Sequence, residues 1–227
     1  MNTVRMYLDF ISPYTYLGLA QAERFSAQHD VEWDLRPVVY GVLLDRAGLV
    51  GPVETEAKRR YTFRDVTRAA ELLGVPMIGP PAHPFRSLDA LRLLVAYAED
   101  PVGLPLACTL AAAAWGKGQD LTRPEVLTEL AEEVGANRRP VVEILSDPEI
   151  KLTLRTNTEE AIGAGVFGVP TFEYAGELFW GHDRLSHLAA RLTGRLGSAS
   201  AQAAMMEDRP RGIDRSSAPA REREGSS

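Results

Sequence analysis

Apolar and polar positions change rhythm several times along the 227-residue chain. Residues 4–10 form a β-branched and aromatic run, which predicts a strand. From Tyr14 to Arg24 the apolar positions recur at helical spacing. Ser12-Pro13 ahead of them reads as a helix start, with a hydroxyl at the N-cap and proline at the first helical position. Residues 31–38 alternate again and predict a second strand, stopped by Pro37. Strand, helix, strand is a βαβ unit with a parallel pair. The two-residue period then vanishes. Helical spacing covers 56–73, 87–97, 105–117 and 124–134, with a Pro/Gly-rich loop at 74–85. A further helix over 147–164 is capped by Ser146 or Asp147, with Pro148 at its start. Residues 166–174 give a loop and strand, Ala175-Gly176-Glu177 a hairpin turn, and Leu178-Phe179-Trp180 the return strand. Gly181-His182-Asp183-Arg184-Leu185 opens a last helix that runs to about residue 192. Beyond Gly194 few apolar groups remain to offset ordering entropy, so 197–227 are expected to be disordered.

The order is βαβ, a helical segment, helix, ββ, helix. With the helical segment set aside, that is the order of a thioredoxin-like fold. The expected class is therefore α/β: a thioredoxin-like domain from 1–40 and 146–196, carrying an all-helical insertion over 41–145.

A chain with 45% hydrophobic residues can bury a sizeable core. The net charge of -6, with scattered basic residues, argues against a nucleic-acid partner. No run approaches the ~18 apolar residues of a membrane span. The N-terminus lacks the basic-then-apolar order of a signal peptide. No membrane association and a cytoplasmic location are expected. The one cysteine, Cys108, makes neither an internal disulfide, nor a two-thiol redox motif, nor a zinc site. It sits in an apolar helix and reads as a small buried hydrophobe. The four histidines lack metal-ligand spacing, so no metal is expected.

Ser12 is the first candidate for chemistry. The leading N–H groups of a helix have no partner inside it, and the macrodipole is positive there. A hydroxyl at that mouth faces any anion bound to it. Capping alone would also account for Ser12. Ser12-Pro13-Tyr14-Thr15 carries no thiol at either end, which excludes thiol–disulfide exchange at this position.

Five short stretches carry a family resemblance. They are Asp9-Phe10-Ile11-Ser12-Pro13-Tyr14; Lys58 and Tyr61 with Asp65 and Arg68; and His83-Pro84-Phe85 with Leu91-Arg92. The others are Gly165-Val166-Phe167-Gly168-Val169-Pro170-Thr171-Phe172 and Phe179-Trp180-Gly181-His182-Asp183-Arg184-Leu185. In this order, from about residue 4 to 192, the chain resembles the glutathione-dependent 2-hydroxychromene-2-carboxylate isomerases and kappa-class glutathione transferases. These are thioredoxin-fold proteins with a helical insertion, related to periplasmic disulfide oxidoreductases.

The resemblance implies glutathione as cofactor, an aromatic small-molecule substrate and a homodimer. It puts Ser12 where a disulfide oxidoreductase has its reactive cysteine, donating to the glutathione sulfur so that thiolate is favoured. It implies a cis peptide at Val169-Pro170, with the Val169 backbone pairing glutathione like an added strand. Asp183 would take the γ-glutamyl ammonium beside the helix N–H groups, with His182 and Arg184 next to it. Lys58 would lie over the site and hold a carboxylate of glutathione or substrate. Each has a plainer reading: a proline at a strand start, a first-turn carboxylate, surface residues, a solvated lysine. One departure stands out, since residues 40–58 contain no asparagine where the family has one. The expected activity is conversion of 2-hydroxychromene-2-carboxylate, or a similar aromatic-degradation intermediate, to trans-o-hydroxybenzylidenepyruvate. The alternatives are kappa-type conjugation of an electrophile and a non-catalytic thioredoxin-like binding module.

Overall fold

Residues 1–198 and 200–210 are described by a computed structural model of the chain. Its sheet is built around strand β1 (Asn2–Leu8). Strand β2 (Val31–Pro37) flanks it on one side, and β3 (Thr171–Tyr174) then β4 (Glu177–Trp180) on the other. β1 and β2 run parallel, with Val4 opposite Trp33 and Met6 opposite Leu35. Helix α1 (Pro13–His29) is the crossover between them, as a parallel pair requires. β3 is antiparallel to both β1 and β4. The hairpin between β3 and β4 turns on Ala175 (φ 51°) and Gly176 (φ 76°), the left-handed pair of a type I′ turn.

Every regular element between β2 and β3 is helical: α2 (Tyr40–Ala47), α3 (Glu56–Leu73), α4 (Leu88–Val95), α5 (Gly103–Ala111), α6 (Pro124–Glu133), α7 (Val141–Ser146) and α8 (Pro148–Gly163). A short 3₁₀ turn, Pro52–Glu54, precedes α3, and α5 continues into one π-helical turn, Ala112–Gly116. Asp147 caps α8, its carboxylate accepting from the Glu149 N–H at 2.8 Å. α2 and α7 were not foreseen. At eight and six residues they are too short for a helical period to stand out.

Two boundaries differ from expectation for physical reasons. β1 ends at Leu8, because the Asp9 carboxylate folds back onto the N–H groups of Ile11 (3.1 Å) and Tyr40 (2.9 Å) and breaks the ladder. The last helix, α9 (Leu185–Leu192), does not open at Gly181. A single 3₁₀ turn, His182–Arg184, comes first, with Gly181 at φ 105°.

β1 buries both faces. Val4, Met6 and Leu8 enter the main core with Leu17, Leu91 and Trp115, so the helical segment and the sheet share one core. Tyr7 points the other way, into a smaller cluster with Val38, Leu43, Val166 and Val169. Met1–Leu196 form one compact unit and Gly197–Ser227 a second. In the second unit Ser200–Glu207 is a helix, α10, where disorder was expected. Its alanines, glutamine, methionines and glutamate are good helix formers. The rest of that expectation, over 211–227, lies outside the described residues.

Candidate active site

The turn joining β1 to α1 is held from all sides. The Asp9 carbonyl accepts from the Ser12 N–H at 3.1 Å. The Phe10 carbonyl accepts from the Trp115 indole N–H at 2.8 Å, and the Ile11 carbonyl from His83 Nε2 at 2.9 Å. A carbonyl only accepts, so this bond assigns the imidazole proton to Nε2. The Ser12 carbonyl takes the Thr15 and Tyr16 N–H groups at 3.1 and 3.4 Å. Asp9, 2% exposed, anchors the turn from below, accepting from Ile11, Tyr40 and the Ser87 hydroxyl. Burial raises its carboxyl pKa, against the lowering pull of those three donors. Trp115 and His83 both come from the helical segment, so the insertion shapes the turn.

Ser12 is buried at the N-cap of α1. Its Oγ accepts from the Thr15 N–H at 3.4 Å and donates to the Val169 carbonyl at 3.1 Å. The Val169-Pro170 peptide is cis. Among the described residues, the N–H groups of Tyr14 and Val169 have no backbone partner. No acidic residue occupies the first turn of α1. The hydroxyl therefore stands between a positive helix end and a strand-entry backbone with a free donor. Just before Val169, Gly168 lets the Trp180 indole pack against the backbone: a Cβ there would sit 2.4 Å from the indole nitrogen.

Tyr14 builds the rim. Its ring stacks on His182 (5.6 Å, 9°), and its hydroxyl donates to the Asp65 carboxylate at 2.8 Å. α1, α3 and the 3₁₀ turn at 182–184 thus meet at one side chain. Burial, then Asp65, pushes the Tyr14 phenol well above its ordinary range. Burial lowers the His182 imidazole, while Asp183 and Asp65 pull it the other way. Asp183 and Arg184 are exposed and pair with each other at 3.2 Å.

The structure brings Ser12, Val169 and Pro170 together and sets His182 beside them through Tyr14. Asp183 and Arg184 follow on the same turn. Lys58 is not joined to this cluster: it is exposed on the first turn of α3 and, among the described residues, has no ion pair or side-chain hydrogen bond. The α3 cation that turns inward is its neighbour Arg59, which donates to the His83 carbonyl at 3.0 Å. Sequence reasoning quoted Asp9, Tyr14 and His83 without giving them roles, and passed over Arg59 and Trp115. Cys108 donates weakly to the Leu19 carbonyl at 3.5 Å, and burial pushes its thiol up to about 12, so it stays protonated. Among the described residues, no three His, Cys, Asp or Glu side chains gather to hold a metal, and no helix is long and apolar enough to cross a membrane.

The comparisons with known proteins match this architecture. The model of the DSBA-like thioredoxin domain matches residues 3–193. A 2-hydroxychromene-2-carboxylate isomerase of Sphingobium xenophagum is 29% identical over 84% of this chain and 98% of the relative. Human glutathione S-transferase kappa 1 is 27% identical over 83% of this chain and 89% of its own length. Among solved structures, a 2-hydroxychromene-2-carboxylate isomerase superposes with a TM-score of 0.78 at 24% identity, covering 90% of this chain and 98% of the other.

Proposed function

We propose that this chain, which belongs to the DSBA-like thioredoxin domain family, is a glutathione-dependent isomerase of 2-hydroxychromene-2-carboxylate or a similar aromatic intermediate. The observation that carries the reading is a serine, not a cysteine, at the cap of α1, 3.1 Å from the Val169 carbonyl and beside unpaired N–H groups. The names of the relatives support glutathione and the isomerase outcome.

The residues fit glutathione. A helix mouth with no acidic residue in its own first turn suits an anionic sulfur. The Val169 carbonyl and free N–H suit the backbone of a short peptide. When bound, glutathione supplies the thiolate nucleophile. Ser12 has one proton, given to the Val169 carbonyl in this structure. Turning that proton to the sulfur frees the carbonyl to accept a ligand N–H, so the two bonds exchange without leaving a buried group unpaired. Asp183 and Arg184, already paired, offer opposite charges to the zwitterionic γ-glutamyl end. Lys58, solvent-facing, is assigned to a carboxylate of glutathione.

Kappa-type transfer is the second reading, favoured by the match to the human enzyme. It uses the same site and differs in whether the product keeps the sulfur. Mass analysis after incubation with glutathione and the chromene carboxylate, or a chloro-nitroarene, separates them. The expected result is conversion of the carboxylate without mass change, strictly dependent on glutathione. A stable adduct would show a transferase, and conversion without glutathione would overturn both readings.

A further inference from the structure

Two neighbouring cations of α3 meet different surroundings. Lys58 is exposed, whereas Arg59 is half-buried and lies over the Phe63 ring at 4.9 Å. Its Nη1 donates to the His83 carbonyl at 3.0 Å. The other N–H groups of its guanidinium have no partner among the described residues. Arg59 thereby forms part of the wall of a cavity of about 430 Å³. That volume falls within the ~300–1,000 Å³ of small-molecule pockets.

Most of the other lining residues are apolar in type, among them Phe63, Met77, Ile78 and Pro80, with the His83 ring beside them. The His83 ring stands edge-on between Phe63 (78°) and Trp115 (65°). Among the described residues, no aspartate or glutamate lines the cavity. Burial lowers the His83 pKa, which leaves Arg59 as the charge there at neutral pH. A guanidinium with free, coplanar donors pairs best with a carboxylate, and aromatic walls suit a planar ring system.

We propose that this cavity binds an aromatic carboxylate and that Arg59 is its specificity-determining residue. The inference rests on the glutathione-dependent reading for its place in a reaction, but binding of the acid does not require glutathione. The same contacts tie the cavity to the reactive turn. Arg59 holds the backbone of His83, and His83 Nε2 holds the Ile11 carbonyl, one residue before Ser12. The link from Arg59 to the reactive turn therefore runs through His83, while Lys58 faces solvent.

Calorimetric titration with chromone-2-carboxylate, an unreactive bicyclic acid, tests this, with uncharged chromone and glutathione titrated in parallel. Arg59→Gln is expected to weaken the acid about tenfold or more, the loss of a charge-assisted pair. Chromone and glutathione should bind it as they bind wild type. Arg59→Lys should restore part of the loss, since a point charge lacks the fork. Lys58→Gln should weaken glutathione and leave the acid alone. Undiminished acid binding by folded Arg59→Gln, or loss of glutathione binding instead, would overturn the proposal. Wild-type protein that binds the acid but not glutathione would sink the glutathione reading alone. Protein that binds glutathione but not the acid would sink this one alone.

Discussion

Ser12→Ala is expected to lower glutathione-dependent turnover by about 10²-fold or more, the usual cost of removing one donor to a reacting anion. The same change removes the α1 cap, costing about 1 kcal/mol, and leaves the buried Val169 carbonyl unpaired. A fall in melting temperature will therefore accompany the loss of turnover. Stability alone does not move a ligand's ionisation. The distinguishing readout is the pKa of the bound glutathione thiol, expected to climb toward that of the free thiol in the alanine variant. If turnover falls while that pKa stays put, Ser12 is a structural cap and nothing more.

Asp9→Ala is expected to be the most destabilising single change near the site, at about 3 kcal/mol by urea denaturation. It strands two backbone N–H groups and the Ser87 hydroxyl around a fully buried position. Asp9→Asn should cost less and reveal the sign of the titration. Burial raises the folded-state carboxyl pKa above its unfolded value of ~3.9. Between the two values the folded state binds more protons, so wild-type stability falls as pH rises through that window. The amide does not titrate. The deficit of Asp9→Asn should therefore be largest near pH ~4 and shrink toward neutrality. A deficit that grows with pH would show that the three donors outweigh burial.

Much of the frame could be read from local pattern. The parallel pair, the Ser12-Pro13 helix start, the start of α8 at Pro148 and the hairpin at Ala175-Gly176 each announce themselves within a few residues. The residues that shape the turn do not. Trp115 reaches Phe10 across 105 positions, and His83 reaches Ile11 across 72. No periodicity encodes such partners, because they depend on how the insertion packs back. Adjacent positions on a helix lie ~100° apart, and packing against Phe63 and His83, not helical spacing, turns Arg59 rather than its neighbour Lys58 inward. Asp9 was quoted as strand sequence. Its carboxylate competes with the ladder for N–H groups, a local tendency of aspartate that a β-rich run conceals.

A pH titration of the thiolate ultraviolet absorbance of glutathione, in complex with the wild-type protein, reads the reactive atom itself. With the Ser12 hydroxyl and the mouth of α1 beside the sulfur, the midpoint should lie about one unit or more below the ~8.5 of an unperturbed thiol. A midpoint equal to or above that of free glutathione would contradict a protein that supplies the setting and leaves the nucleophile to its ligand.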